Sequence, residues 1–531
     1  MVNDQLNIKT PGFWETVFPA PVVFTACTAI AVFYLCCALQ SYFSPFIAFF
    51  FFLFSVLGFI FMFACYSFLK KKKKTSVKPI KILLYIFAGF AAGMYAFLRL
   101  FVLYSPVLSL AETEKAECIQ CILTGEAVPA GTKYYSAEAK LLSCSYKNAA
   151  EFSAKGNIKV FFPAEMVKQN NAFSITAFKS KKENACKNFS KGAILAAEGK
   201  FGTKKDKITP AVFFIGGKIP EFLGWNSFFS GLRARFRFNL MRLLAGWGGA
   251  GGLLLALLSA NKDFLETVCS FSFKNAGLAH ILALSGMHVS LVSLAAIRMG
   301  TVFGKRSFAI KFSLISIVLF VWFAGSAPSL NRALGMMIIL VVGKSLALKP
   351  DMLAVLSTML IAHILIKPAD ALSLGFMLSY GALAGILLFG GTLIEILRGK
   401  IPPKLLGGVS ASLGAQAFTA PAVITKIGIL APIGIIASVI ISPIVSFFLI
   451  LGMASVFFAF LFPFTGVIFN FILNFLYKII VMLAQFFAAF PLLEAQTLLH
   501  KTLFSCIPFT AGFIMIKAAY IIKKNRAEGT F

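Results

Sequence analysis

Gly277-Leu278-Ala279-His280-Ile281-Leu282-Ala283-Leu284-Ser285-Gly286-Met287-His288-Val289 heads an apolar segment that runs to about Ile297. The Leu, Ile and Val of this stretch are what a bilayer selects; two histidines and a serine are not. Polar groups at membrane depth cost free energy, so they face a bundle interior or a wet cavity. At roughly 100° per residue, Gly277, His280, Ser285 and His288 fall within about 140° of one another around a helix. The pattern predicts a spanning helix with one small polar face and a greasy remainder.

The whole chain supports a membrane setting. Of 531 residues, 59% are hydrophobic, and mean hydropathy is +0.86. Soluble domains are about 45–50% apolar. Phe occurs 61 times and only 13% of residues are charged, yet the formal net charge is +30. Most of that excess is assigned to cytoplasmic loop lysines, which set orientation. Attraction to a polyanion or to anionic headgroups is the other reading. The weakly charged lead Met1–Phe18 does not look like a secretory signal, so the first apolar run is expected to be retained.

Residues 20–39, 43–68 and 80–104 each approach or exceed the ~20 residues a spanning helix needs. The run Lys70-Lys71-Lys72-Lys73-Lys74 between the last two marks a cytoplasmic loop, which places the N-terminus inside and residues 106–230 outside. Nine further spans are expected at 276–299, 308–326, 330–348, 350–368, 372–392, 406–428, 430–460, 465–488 and 500–522. The 430–460 run contains Pro443 and is expected to kink or break. Arg298/Lys305/Arg306, Lys344/Lys349, Arg398/Lys400/Lys404 and Lys523/Lys524/Arg526 then all fall inside, with the C-terminus.

Residues 106–230 carry 17 Lys against 11 Asp and Glu. Alternating runs at Ala137–Leu142, Ile158–Phe162 and Ala211–Ile215 predict strands, and a small β-barrel or sandwich fits the length. Cys118-x-x-Cys121 reads as a disulfide element, a redox pair or half a metal site. With Cys144 and Cys186 in the same region and no histidine there, a disulfide outside the cytoplasm is expected, its pairing open. Arg233, Arg235, Arg237 and Arg242 follow, scattered over more than one helix face, to rest on headgroups or to touch a phosphate chain. Residues 243–260 are Gly-rich and predict a re-entrant or interfacial piece.

Three kinds of chemistry compete for the polar islands. Ser285 and His288, one turn apart, would suit a nucleophile and its base, although no acidic residue stands nearby. Close helix packing through Ser and Gly is the commoner use of such residues. Arg332, at the start of a span within Gly325–Arg332, brings a fixed charge to the bundle mouth, where it would suit a phosphate. Pro328 lies in the loop joining two spans, and Ser379, Tyr380 and Gln416 interrupt other spans. No G-x-x-x-x-G-K-[ST] motif is present, so no ATP-driven step is expected from this chain. No metal and no cofactor is implied.

Gly277–His280 with Leu284–Val289 resembles the "G-L-x-H-L-L-A-I-S-G-L-H-V" signature of the ComEC/Rec2 competence proteins, inner-membrane channels of natural transformation. Gly325–Ala333 is similar to that family's "G-x-x-P-S-x-x-R-A" element, and Gly375–Ser379 to its "P-G-F-Q-L-S" element. Gln416, Pro421 and Pro443 fall where the family has Gln, Pro and Pro. Leu374 and Met377 depart from the third element, and Ser438 stands where Asn is usual. The resemblance implies a polytopic α-helical membrane protein of about twelve transmembrane helices with an inserted extracytoplasmic OB-like β domain. Its parts would be an N-terminal helix cluster (1–105), the OB-like domain (106–230), a basic amphipathic or re-entrant segment (231–275) and a channel domain (276–531).

The function so implied is admission of single-stranded DNA across the cytoplasmic membrane. Gly277, His280, Ser285, Gly286, His288, Pro328, Arg332, Ser379 and Gln416 would line the passage. Tyr134, Tyr135, Lys181, Lys182, Arg233, Arg235 and Arg237 would bind the strand. Partners would be an outer DNA receptor, a cytoplasmic ATP-driven motor, a separate nuclease and the lipid bilayer. Many family members carry a metallo-β-lactamase-like domain after the helices. No H-x-H-x-D-H cluster occurs here, so no nuclease activity is expected of this polypeptide. A secondary transporter or flippase for an anionic small molecule or lipid, and an intramembrane hydrolase using Ser285 and His288, are the alternatives.

Overall fold

A computed structural model describes residues 21–494, together with Ile514 and Ile521. It excludes 41–44, 72–77, 105–106, 109–115, 146–151, 167–188, 203–208, 217, 349–350 and 463. Apart from Ile514 and Ile521, the expected span at 500–522 lies outside the described residues, as do Lys181, Lys182 and Cys186.

Three helices open the fold: α1 (Pro21–Ala38), α2 (Pro45–Lys71) and α3 (Lys78–Tyr104). Helix α2 turns Phe50, Phe54 and Phe61 outward, as a hydrocarbon solvent allows. Helices α1 and α3 bury Phe33, Met94, Phe97 and Leu100 in a core shared with residues far along the chain, Leu356, Ile364, Phe376 and Tyr380 among them. Helices α1 and α3 thus share one core with later helices.

Strands follow: β1 (Val107–Leu108), β2 (Cys118–Leu123), β3 (Val128–Ala130), β4 (Tyr134–Ser145), β5 (Phe152–Pro163), β6 (Ala193–Phe201), β7 (Ala211–Ile215) and β8 (Glu221–Trp225). The three runs predicted as strands lie inside β4, β5 and β7. Five of the strands pair in a ring, β2–β4–β5–β7–β6 and back to β2. Every pair in that ring is antiparallel except β5–β7. Closure leaves the ring without an open edge, and alternate residues such as Ile119, Cys121, Leu141, Val160, Phe162 and Phe213 fill it.

The helical remainder runs α4 (Phe228–Ala245), α5 (Gly248–Ser259), α6 (Thr267–Asn275), α7 (Gly286–Phe303), α8 (Arg306–Ala324) and α9 (Pro328–Ser345). It continues with α10 (Met352–Ile366), a 3-10 turn at Pro368–Leu372, α11 (Leu374–Leu397), α12 (Pro403–Lys426), α13 (Gly434–Leu461) and α14 (Thr465–Ala488). Among the described residues, eight helices are long and apolar enough to cross a membrane: α1–α3, α7, α8, α11, α13 and α14. Helix α10 is shorter, at 15 residues. Helices α9 and α12, interrupted by Arg332 and Gln416, fall outside that set of eight.

Pro443 lies within α13, which is not broken there and runs from Gly434 to Leu461. The Gly-rich stretch forms α5, and ten of its twelve residues are buried in a core against α13 and α14. Its glycines are required by close approach. A Cβ on Gly252 would stand 2.1 Å from the Phe264 carbonyl oxygen.

Candidate functional site

The signature loop is not the helix its periodicity predicts. Helix α6 stops at Asn275 and Gly277 takes φ +73°, the left-handed conformation that ends helices. Leu278 N–H reaches back to the Phe273 carbonyl at 2.8 Å, closing the helix end. Leu278, Ile281 and Leu282 then drop into the core. Gly277 also permits contact with the start of α13; a Cβ there would lie 3.2 Å from Gly434 Cα. Helix α7 begins only at Gly286, with Ser285 in extended conformation as its N-cap.

His288 sits at the third position of α7, fully buried. Its Nδ1 accepts from the Ser285 backbone N–H at 3.1 Å, and the Ser285 hydroxyl is also 3.1 Å away. This is a capping arrangement. Because Nδ1 is an acceptor, the ring proton is on Nε2, which is buried without a partner. Among the described residues no carboxylate contacts that nitrogen. His280 is exposed, with Nδ1 3.2 Å from the Gly277 carbonyl.

Arg332 brings the three sequence elements together. It lies in the first turns of α9, after Pro328, and is buried. Its Nη1 donates to the Ser379 carbonyl of α11. Its Nη2 would stand 3.1 Å from a Cβ on Gly286. Its guanidinium lies over the Tyr380 ring at 5.9 Å. Ser329, three residues earlier, donates to the Leu284 carbonyl. Arg332 Nε and Ser379 Oγ are buried without partners, a pattern that marks a seam rather than a sealed apolar contact. Gln416 stands apart from this group and donates to the Ala431 carbonyl at 3.3 Å.

Sequence reasoning missed a chain of groups behind Arg332. His363, buried on α10, faces Tyr380 Oη with Nδ1 (3.1 Å) and Asp370 Oδ2 with Nε2 (3.0 Å). The only available signal was an Asp seven residues after a His across a Pro-bearing turn.

Asp370 also lines a cavity of about 1140 Å³ between the barrel, α4 and the ends of α3, α8 and α10. Arg99, Glu126, Lys191, Arg237 and Lys367 share the lining, and Leu284 is its contact with the signature loop. The cavity does not reach His280, Ser285 or His288.

The expected strand-binding residues divide sharply. Arg233 and Arg237 are buried, not displayed. Arg233 Nε donates to the Trp322 carbonyl (2.7 Å), and Arg237 donates to the carbonyls of Phe323, Ala324 and Ser259 at 3.0–3.1 Å. Three of these carbonyls lie at the C-terminal end of α8 and that of Ser259 at the end of α5, where helices leave carbonyls unpaired. Both also face Glu126 of the barrel. Burial alone would raise the Glu126 carboxyl; Arg237 and Arg233 outweigh it and hold the group below the usual range. Arg235 is exposed. Tyr134 is 40% exposed, but its neighbour Tyr135 is 6% exposed and donates to Asp263 at 3.1 Å. Adjacent strand residues point to opposite faces, so the pair cannot both face out.

The Glu126 pairing predicts a pH response. Its folded pKa lies below the ordinary 4.5, so pairing stabilises the docked barrel above that value and is lost as pH falls through the lower folded value. Hydrogen exchange at residues 124–128 should stay slow at pH 5 and accelerate only below the ordinary glutamate range. Acceleration already between pH 6 and 5 would contradict the pairing.

Cys118, Cys121 and Cys144 are free thiols. Cys118 and Cys121 alternate faces along β2, Cys121 inward and Cys118 not, which keeps that pair from bonding. Burial pushes the Cys121 thiol up to about 12 and that of Cys144 up to about 11.

A family model described as competence protein matches residues 257–524, half of the 531 residues. ComE operon protein 3 of Bacillus subtilis (strain 168) is 24% identical over 168 residues, 31% of this chain and 21% of that protein. The matched stretch thus spans about a fifth of that relative's length. No solved structure matches. The three converging elements around Arg332 lie within the matched region, and the chain belongs to the competence protein family.

Proposed function

We propose that this protein is an inner-membrane channel that admits single-stranded DNA during transformation. The observation that carries the reading is the meeting of the signature loop, α9 and α11 on Arg332, with Leu284 of that loop lining a cavity shared by Arg99, Lys191, Arg237 and Lys367. A phosphate chain needs small residues to pass and fixed positive charge to offset its own. Gly286, Ser379 and Arg332 offer both. The passage runs from the cavity along the Arg332 seam, with His280 as a second polar contact. The extracytoplasmic side is the barrel side, with both termini inside.

The barrel is read as an OB-type domain. Its ring order and its one parallel closing pair, β5–β7, support that reading. Tyr134, Phe161 and Phe214 gather on its outer surface, with ring centroids 5.2–6.4 Å apart, and Lys159 lies 5.4 Å from the Phe161 centroid. Rings beside a cation form a platform on which bases stack. Force for the passage would come from a cytoplasmic motor, degradation of the other strand from a separate nuclease, and delivery from an outer receptor.

The test is uptake of labelled DNA, compared with uptake of small anions, in cells that make the protein. Replacing Tyr134, Phe161 and Phe214 together by Ala should weaken binding of single-stranded oligonucleotide by roughly ten- to a hundredfold, since stacking contributes about 1–3 kcal/mol per base. DNA binding and uptake equal to wild type in that variant would remove the barrel from the pathway.

A further inference from the structure

One corner of the cavity holds more positive charge than its partners neutralise. Glu126 stands in the turn between β2 and β3 and reaches α4. Its carboxylate pairs with Arg233 Nη1, lies 3.9 Å from Arg237 Nε, and accepts from the Lys191 backbone N–H. The Lys191 and Lys367 amines line the same space. Of the other carboxylates in the lining, Asp263 is bonded to Tyr135, Asp370 to His363, and Glu138 acts on Lys191. Arg233 and Arg237 therefore share the Glu126 carboxylate between them. Burial, then Arg233 and Lys367, push the Lys191 ammonium down, and Glu126 and Glu138 offset them only in part.

The donors around Glu126 are those that bind phosphate: two guanidinium groups and a backbone N–H in a turn closed by Gly192, at φ +90°. One donor is left over. Arg233 Nη2 is buried without a partner, on a side chain only 5% exposed and fixed by its bond to the Trp322 carbonyl. A carboxylate has two oxygens for this cluster. A phosphodiester offers two charged oxygens and two bridging ones in a tetrahedral array, so it can also reach the leftover N–H.

We propose that this corner is a phosphodiester subsite which Glu126 fills with its own carboxylate, and that a nucleic-acid strand in the cavity takes that place with a backbone phosphate. The inference rests on the strand-channel reading above. The exchange is anion for anion, so neither arginine is left bare. It also unties the barrel turn from α4, so that strand arrival and release of the barrel are one event.

The test uses the full chain in nanodiscs, with fluorescent (dT)20 and inorganic tripolyphosphate as separate probes. Glu126→Gln removes the competing charge and should tighten both by about tenfold, and Arg233→Gln should weaken both by about as much, with a shallower salt dependence. Glu126→Asp, which keeps the charge on a shorter arm, should tighten both about threefold. It serves if the Gln variant does not fold, and no tightening in well-folded Glu126→Asp overturns the proposal. If wild type binds (dT)20 and none of these variants changes it, the subsite is refuted and the channel reading stands. If tripolyphosphate binds more tightly to Glu126→Gln while (dT)20 binds nothing, the subsite chemistry is supported and the channel reading fails. Tightening in zwitterionic discs that vanishes in anionic ones would identify a lipid headgroup as the occupant and overturn the strand.

Discussion

Arg332→Ala should cut DNA uptake by at least about a hundredfold at unchanged protein level. The expected size follows from what one side chain joins. Its fork holds the Ser379 carbonyl, borders Gly286 and covers the Tyr380 ring, so its loss frees three elements from one another. It also removes a fixed charge from a low-dielectric seam, where such a charge acts most strongly on a phosphate. Arg332→Lys keeps the charge without the planar fork and should retain an intermediate level, about a tenth of wild type. Uptake of labelled DNA, scaled to membrane-inserted protein, is the measurement. Wild-type uptake in the Ala variant would refute the seam as the route.

Gly385→Leu should have the largest effect on stability. Helices α11 and α12 make an extensive contact, and Gly385 meets Gly414 at its centre. A Cβ on Gly385 would stand 2.1 Å from the Gly414 carbonyl oxygen, and one on Gly414 2.8 Å from that of Gly385. Backbones this close are the gain that small residues bring between helices in lipid, where the hydrophobic effect does not drive association. Overpacking costs about 1–3 kcal/mol in ordinary cores. Here the obstacle is backbone, so about 3 kcal/mol or more is expected. The two helices would separate, carrying Ser379 and Gln416 apart. Protease resistance in native membranes should collapse for Gly385→Leu, whereas Gly408→Ala, whose Cβ would meet only Val439 methyls at 3.5 Å, should match wild type.

Hydropathy made the membrane character legible, and strand alternation made the β region legible. Neither could place the start of α7. Leu278, Ile281 and Leu282 are apolar because they enter a core, not because they are helical. The signals that mattered were local: Gly277 as a stop and Ser285 with His288 as a cap. Period-two reasoning would have separated Tyr134 from Tyr135. The burial of Arg233 was beyond reach, since its partner Glu126 lies 107 residues away in the chain. The grouping of His363, Asp370 and Tyr380 depends on how α10 and α11 fold back, and spacing alone does not specify that.

Tyr34 of α1 donates to the Ala371 carbonyl at 2.7 Å, and Arg99 of α3 donates to that of Leu365. These partners lie 337 residues further along the chain from Tyr34 and 266 from Arg99. Until they are made, Tyr34 and Arg99 wait in the bilayer with their hydrogen-bonding groups uncommitted. Biogenesis of this protein has a built-in late step, in which the start of the chain clasps the turn beside Asp370 and closes the bundle.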